Sequence, residues 1–443
     1  MRDSRLNQTN RGYAMASREF SRRDFERMCV ASAFGSAACP WLPRLAAAAG
    51  KKPAKACIVL WMSGGPSQTD TWDLKPGHKN GGPSKETATS VPGLRFSEHL
   101  TKLAATAKDL GIIRSMTTKE GEHQRATQLL HTGQLPTEAV AYPALGSMLA
   151  KALGDPEHDL PSYITISPGG QGGSVGAGFL GPQFAPMAVS GISDNPNARA
   201  NLTIDYLKPD KPIAPSDQDV RRQLLADLQG DFEKRNGGAA TKAHAASYRK
   251  AQKMIDTEAR GGFRLDEEPA KLRDAYGRNR FGQGCLLARR LLERGVSFVE
   301  VTLDGWDTHG NNFEMVKTLS ETLDPAYSTL LADLKERGML DNTLVVWMGE
   351  FGRTPLINPQ GGRDHFPLAW STVLAGAGVK GGQAIGSTGK DGATVAERPV
   401  GVGDFLATIF TAVGVDPKTE NHTWDGRPIA LVKGGTVIAE LVK

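Results

Sequence analysis

Cysteine is scarce in this chain. There are four in 443 residues, and two of them, Cys29 and Cys39, fall within the first fifty. Only Cys57 and Cys285 remain in the body of the sequence, so a disulfide framework is excluded. Cys57 sits in a strand-like run and Cys285 in a helix-like one, so two buried thiols stand as well as one bridge. No apolar run reaches the roughly 20 residues of a membrane-spanning helix. The mildly apolar stretch Met28 to Leu45 holds Pro40 and Pro43 and ends near Arg44, which argues against a permanent membrane anchor. A net charge of one sign is missing as well. Residues 1–49 hold eight Lys+Arg and four Asp+Glu, a net of +4, so the formal +5 of the whole chain leaves about +1 for the rest. So nearly neutral a body leaves no electrostatic footprint for nucleic acid. No internal repeat, low-complexity segment or clear linker is present. What is there is globular: 39% hydrophobic and 23% charged residues, with 51 glycines to make sharp loops around a sheet.

The basic N-terminus has its own pattern. Ser21–Arg22–Arg23–Asp24–Phe25 carries paired arginines, the apolar stretch follows, and Ala46–Ala47–Ala48–Ala49 offers small residues for cleavage. This is the pattern of a twin-arginine export signal, the bland alternative being a disordered basic tail. The expectation is a signal peptide over residues 1–49, a partnership with the twin-arginine translocase during export, and a periplasmic or secreted mature protein.

From Lys55 onward, strand-like and helix-like segments alternate. Lys55 to Met62 reads as a buried first strand, broken at Ser63–Gly64–Gly65–Pro66. Leu110 to Arg114 is a short strand, Gly121 to His131 has helical character, Tyr142 to Leu153 is helical, and Ser162 to Ser167 is strand-like. Residues 168–215 have little periodicity, and Asp217 to about Arg280 is charged and helical. A helix over Phe281 to Arg294, with Leu286, Leu287, Leu291 and Leu292 on one face, stops at Gly295. Strands over 296–303, 343–348 and 370–375 and helices over 313–337 and 403–413 complete the series. Such alternation predicts an α/β fold, a three-layer sandwich whose mostly parallel sheet is covered on both faces. One domain over residues 50–443, with a helical insert at about 215–280, is the simplest organisation.

The chemistry gathers where strands end. Asp304, Asp307 and His309 follow the strand at 296–303, Glu350 follows the strand at 343–348, and Asp364–His365 come soon after. In an open α/β sheet ligands bind at the carboxyl ends of strands, and carboxylates with imidazoles there suit a divalent metal. Each group alone also reads as a capped polar turn or a surface ion pair. Asp70 and Asp73 stand open between a metal ligand and a cap of the glycine-rich loop. Arg125 and Arg353 stand open between gripping an anionic substrate by bidentate hydrogen bonds and plain solvation, and Ser63 and Asp70 join them as candidate substrate contacts. Trp61, Trp72, Trp306 and Trp347 read as core rather than as sugar-stacking residues.

Residues 54–430 resemble domain-of-unknown-function family 1501 through GGPSQTDTWDLKP (64–76), DGWDTHGNN (304–312), GEFGRTP (349–355) and GGRDHFP (361–367). That resemblance implies an alkaline-phosphatase-like or sulfatase-like fold. Leu340 to Val346, and Val400 to Pro417 with Asp425–Gly426–Arg427–Pro428, are similar to the late sulfatase strand and its closing loop. Asp304 to Glu350 also resembles cofactor-independent phosphoglycerate mutases. Carried over, the likeness implies one metal held by Asp304 or Asp307, His309 and His365, with Asp364 and Glu350 serving it or a second ion. Hard carboxylates with imidazoles suit Zn²⁺ or Mn²⁺ before Mg²⁺ or Ca²⁺. Two departures stand out. The first strand ends without the usual Asp, and the position expected to hold a Ser, Thr or Cys nucleophile at a helix N-terminus is His123, nine residues before Thr132. His123 is open between a covalent nucleophile facing the substrate, a metal ligand and a hydrogen-bonded helix-start residue. Thr127 and His131, on the same helical face, either line the pocket or pack. The function implied is an exported metal-dependent hydrolase of phosphate or sulfate esters, small-molecule or polysaccharide. The alternative is a non-catalytic binding or scaffold protein on the same fold.

Overall fold

The computed structural model describes residues 56–155, 158–167, 175–191, 202–203, 214–256 and 258–442. The expected signal peptide at residues 1–49 lies outside the described residues.

Nine strands form the main sheet: β1 Ala56–Met62, β2 Leu110–Met116, β3 Tyr163–Ile166, β4 Met187–Gly191, β5 Leu202–Thr203, β6 Phe298–Leu303, β7 Thr343–Met348, β8 Trp370–Gly376 and β9 Gln383–Ile385. Their spatial order is β9-β2-β8-β7-β1-β6-β3-β4-β5. The central run β7-β1-β6-β3-β4 is parallel throughout. β8 is antiparallel to both of its neighbours, β7 and β2, and β5 is antiparallel to β4. The sheet is therefore mostly parallel, as the alternating pattern predicts. All seven residues of β1 are buried, which is why it reads as an unbroken apolar run instead of an alternating one.

Helices cover both faces. The longer ones, named in chain order, are α1 His123–Thr132, α2 Leu145–Leu153, α3 Pro215–Arg235, α4 Ala239–Asp256, α5 Arg280–Glu293, α6 Asn312–Glu336 and α7 Val402–Ala412. Ile58, Leu60 and Met62 share one core with Leu286 of α5 and Leu323 of α6. Cys57, Val59 and Trp61 share the other with Leu130 of α1, Leu149 of α2 and Leu406 of α7. This is the three-layer sandwich. It also settles the thiols: Cys57 and Cys285 are free and buried, in cores on opposite faces of the sheet. α5 runs as read, with Asn279 Oδ1 accepting from the Gly282 amide at its start (2.8 Å) and Gly295 left-handed after its end (φ 87°). Where the sequence predicts helix over 217–280, α3 and α4 are present, followed by single turns and a short helix at Ala270–Tyr276. No helix among the described residues is long and apolar enough to cross a membrane.

One buried ion pair ties α1 to the sheet. His131 Nε2 lies 3.0 Å from Glu300 Oε2 on β6, while its Nδ1 lies 2.8 Å from the Thr127 carbonyl. Burial alone would push the imidazole down, but Glu300 and these hydrogen bonds outweigh it and hold it above its ordinary value. A raised imidazole contributes stability that is complete below the unfolded value, about pH 6.5, and that is lost as pH rises through the folded one. The margin of wild type over Glu300→Gln in thermal melts should therefore be widest near pH 6 and shrink as pH rises above the ordinary imidazole range. A margin that widens instead would refute the pair's charge assignment.

A candidate metal centre at the strand ends

The cluster forms where β1, β6 and β7 stop together, since the three strands are paired in parallel register. β6 hands over to the loop carrying Asp307 and His309, and β7 to Gly349–Glu350. A two-residue ribbon sets Arg353 opposite His365. The start of α1 supplies His123. Gly64 makes the close approach possible: it is left-handed (φ 107°), and a Cβ there would stand 2.3 Å from the Asp307 amide nitrogen. Gly362 does the same against the His309 carbonyl. Any side chain at either position would push the loops apart.

His123, Asp307 and His365 bring ligand atoms within 4.8 Å of one another. His309 belongs with them. Asp307 Oδ1 lies 3.1 Å from His309 Nε2, 3.3 Å from His365 Nε2 and 3.5 Å from His123 Nε2. The two exposed-side imidazoles meet at 3.0 Å, Nε2 to Nε2. For a tetrahedral ion with bonds of about 2.0–2.1 Å, neighbouring ligand atoms lie about 3.3 Å apart. Four edges of such a tetrahedron are thus in place.

The far side of each ring explains the orientation. His123 Nδ1 is 2.7 Å from Glu350 Oε1, His309 Nδ1 is 2.8 Å from Asp364 Oδ1, and His365 Nδ1 is 2.8 Å from the Gly121 carbonyl. A backbone carbonyl only accepts, so His365 Nδ1 carries the proton, and the two carboxylates impose the same tautomer on their rings. All three Nε2 atoms then offer lone pairs, which is the pattern of metal-ligating histidine with its outer acceptor. Two N–H groups cannot face each other at 3.0 Å, so His309 and His365 cannot both be imidazolium. Burial holds His365 below its ordinary value, which favours the neutral ring. Asp307 would be raised by burial, yet Arg353 outweighs that and holds it below the ordinary carboxylate range. His123 Nε2 is buried with no hydrogen-bond partner, as is Glu350 Oε2. An orphaned imidazole nitrogen aimed at a carboxylate and two more lone pairs fits a divalent cation.

The sequence-predicted residues divide accordingly. His123, Asp307, His309 and His365 come together. Glu350 and Asp364, expected as ligands, stand behind His123 and His309 and orient them; Glu350 Oε1 also takes the Gly64 amide at 2.8 Å. Asp304 is not among the residues that close on one point; it is hydrogen-bonded to Ser63 and lies 3.8 Å from Arg280, and burial raises its carboxyl. Ser63 is buried, its backbone joined to Leu303 and Trp306. Asp70, expected at the substrate, is a structural hub. It receives the Arg363 guanidinium at 2.7 and 3.1 Å and the side chains of Ser67, Ser84 and Asn312, leaving no acceptor for a ligand. Asp73 is held by Lys75 and Thr388. Arg353 is fully buried and grips the Gly64 and Gly65 carbonyls and Asp307, so it positions the ligand loop instead of reaching a substrate. Arg125 is half-exposed and paired with Glu120 at 2.7 Å. Trp61, Trp72, Trp306 and Trp347 are buried. A free helix N-terminus is itself an anion site. Here Glu122 caps α1, its carboxylate accepting from the Gln124 and Arg125 amides at 3.1 and 2.9 Å, so that anion site is filled from within.

Sequence reasoning missed Asn358, which donates to the His309 carbonyl (2.9 Å) and to Asp364 (3.2 Å), and the Gly121 carbonyl behind His365. No motif marks a backbone acceptor in advance. Glu350→Gln should lower metal affinity by roughly 10–100-fold without unfolding the chain, because the amide orients His123 less firmly. Titration of the apo protein with Zn²⁺ measures it, and unchanged affinity would show that Glu350 does not act through His123.

A family model described as a protein of unknown function (DUF1501) matches residues 54–442. No match was found among curated proteins. Among solved structures the chain is similar to the PsFucS1 sulfatase from Pseudoalteromonas sp., at 14% identity over 89% of this chain and 72% of that one, with a TM-score of 0.38. It is similar to the lipoteichoic acid synthase LtaP from Listeria monocytogenes, at 10% identity over 89% and 77%, with a TM-score of 0.39. It is also similar to a protein in the alkaline phosphatase superfamily from Vibrio parahaemolyticus, at 11% identity over 83% and 68%, with a TM-score of 0.38.

Proposed function

The chain belongs to the DUF1501 family, whose description assigns no activity, and on that premise we propose that it is an exported, divalent-metal hydrolase of phosphate or sulfate esters. The observation that carries this reading is the convergence of three imidazole lone pairs and the Asp307 carboxylate, each ring locked by an acceptor on its far side. A three-nitrogen, one-oxygen donor set suits Zn²⁺ first and Mn²⁺ next. A bound ion would supply Lewis acidity toward an ester oxygen and acidify a coordinated water.

The chain's own residues do the rest. His123, His365 and Asp307 are half-buried or buried and fix the donor set, while His309, with its side chain 47% exposed, leaves the approach open on one side. Asp364, more than half exposed beside His309, is placed to accept a proton at the mouth. The His309 hydrogen bond holds Asp364 below the ordinary carboxylate range, so it is ionised and accepting at neutral pH. Among the described residues no hydroxyl or thiol stands at the start of α1, so attack by water in a single displacement fits better than a covalent intermediate. The twin-arginine pattern supports export to the periplasm or beyond.

A second reading, a binding protein that keeps the fold without turnover, is favoured by that same absence and by Glu122 filling the α1 N-terminus. The purified protein, loaded with Zn²⁺ or Mn²⁺, should hydrolyse at least one of an aryl phosphate, a bis-aryl phosphodiester and an aryl sulfate. Chelation and His123→Ala should each abolish that activity. Inertness toward all three at full metal occupancy would decide for the binding reading.

A further inference from the structure

Of the six tryptophans among the described residues, five are buried and Trp424 is 60% exposed. Leaving an indole in water forgoes the burial that the other five gain, so its position calls for a cause. Trp424 stands at the tip of the hairpin whose strands are Glu420–His422 and Pro428–Ala430. The tip is rigid. The Thr423 amide donates to the Arg427 carbonyl at 3.0 Å, the Arg427 amide donates to Thr423 Oγ1 at 3.0 Å, and the Gly426 amide donates to the Thr423 carbonyl at 2.9 Å. Gly426 is left-handed (φ 83°), as this turn requires. Lys151 anchors the hairpin to α2 by donating to Asn421 Oδ1 at 2.6 Å.

The indole overhangs a pocket of about 500 Å³ whose other wall is Ala139–Ala141 with Phe179. That wall is fixed too: the Phe179 amide donates to the Ala141 carbonyl at 2.9 Å, and Gly178 packs so tightly that a Cβ would stand 2.2 Å from the same oxygen. Asp425 and Arg427, both exposed, line the mouth. An exposed aromatic face, an apolar floor and a few convergent polar groups make up a ligand site. The apolar face of a pyranose ring fits the indole, Asp425 accepts from ring hydroxyls, and Arg427 donates in bidentate fashion to a sulfate or carboxylate.

We propose that this pocket is a binding subsite for an anionic sugar residue of a glycan. None of the residues that line it belongs to the metal cluster. A glycan held here is retained on the protein while its reacting group is elsewhere, which raises effective concentration instead of completing the reaction site. The inference does not rest on ester hydrolysis.

The test uses the full chain with three probes: a heparin-derived hexasaccharide, a hyaluronan hexasaccharide and dextran. Binding is read by calorimetry and by the emission of Trp424, which should shift to shorter wavelength because the other described indoles are already buried. At least one charged probe should bind more tightly than dextran. Heparin alone would identify sulfate as the recognised group, and binding of both would identify the carboxylate as sufficient. Trp424→Ala should weaken binding on the order of tenfold, with Trp424→Phe retaining part of it, and Arg427→Ala should remove its salt dependence. Metal content and aryl-ester turnover should be unchanged in Trp424→Ala. Affinity unchanged in that variant, or dextran binding as tightly as the charged probes, would overturn the proposal.

Discussion

The double variant His309→Ala/His365→Ala should be purified essentially free of divalent metal, whereas Asp304→Ala should keep the wild-type content. The contrast is what the geometry dictates. His309 and His365 bring two Nε2 atoms to within 3.0 Å of each other and to 3.1 and 3.3 Å from Asp307 Oδ1. Removing both leaves His123 and Asp307, a pair too sparse to retain a tetrahedral ion through purification. Asp304 precedes Asp307 in the same loop but is hydrogen-bonded to Ser63 and is not among the residues that close on one point. Elemental analysis gives the stoichiometry. A thermal melt gives an independent reading, since a ligand present at about 100 times its dissociation constant stabilises the native state by about 2.7 kcal/mol, and that increment should vanish in the double variant. If Asp304→Ala loses its metal and the double histidine variant does not, the centre has been placed wrongly.

The largest structural effect should come from Asp70→Asn. Asp70 and Arg363 are both essentially fully buried. The guanidinium donates to both carboxylate oxygens, and its remaining donors reach the carbonyls of Asn80, Thr354 and Pro355. Neutralising Asp70 leaves a buried cation without its counter-charge, a loss of about 3–5 kcal/mol. The replacement also disturbs Asn312, which donates to Asp70 at 2.9 Å from the first turn of α6. The melting temperature should fall well below that of wild type, and metal binding should weaken only in so far as the loop at residues 361–365 loosens. Arg363→Met combined with Asp70→Leu should cost less than the two changes added together, because neither charge is then stranded. A stable Asp70→Asn protein would mean that water reaches this hub.

Much of the fold was legible from the residues alone. The seven apolar residues of β1, the alternation of strand and helix, and Gly295 closing α5 led to a parallel sheet covered on both faces, and such a sheet is present. The antiparallel place of β8 between β7 and β2 was not legible, because a buried strand reads the same in either direction. The site was legible in outline. The structure sets the residues at the ends of β6 and β7 on one rim, since strand ends in register share an edge. The division of labour within that rim was not legible. Asp304 and Asp307 are three residues apart in one loop, and composition does not say which carboxylate turns inward. Arg353 and Asp70 carry the charge of ligand-gripping residues yet are fully engaged by protein groups.

What the sequence by itself determined is the set of chemical groups and the rim on which they stand, because both follow from apolar periodicity and from where each strand must end. What only the tertiary structure decided is the role of each group. A carboxylate becomes a ligand, an orienter or a buried counter-ion according to whether its nearest neighbour is an imidazole lone pair, an imidazole N–H or a guanidinium, and those neighbours arrive from segments as far apart as residues 123, 307 and 365. The same holds for the indoles: five of the six described are core, and the one left in water was set apart only by how its hairpin folds.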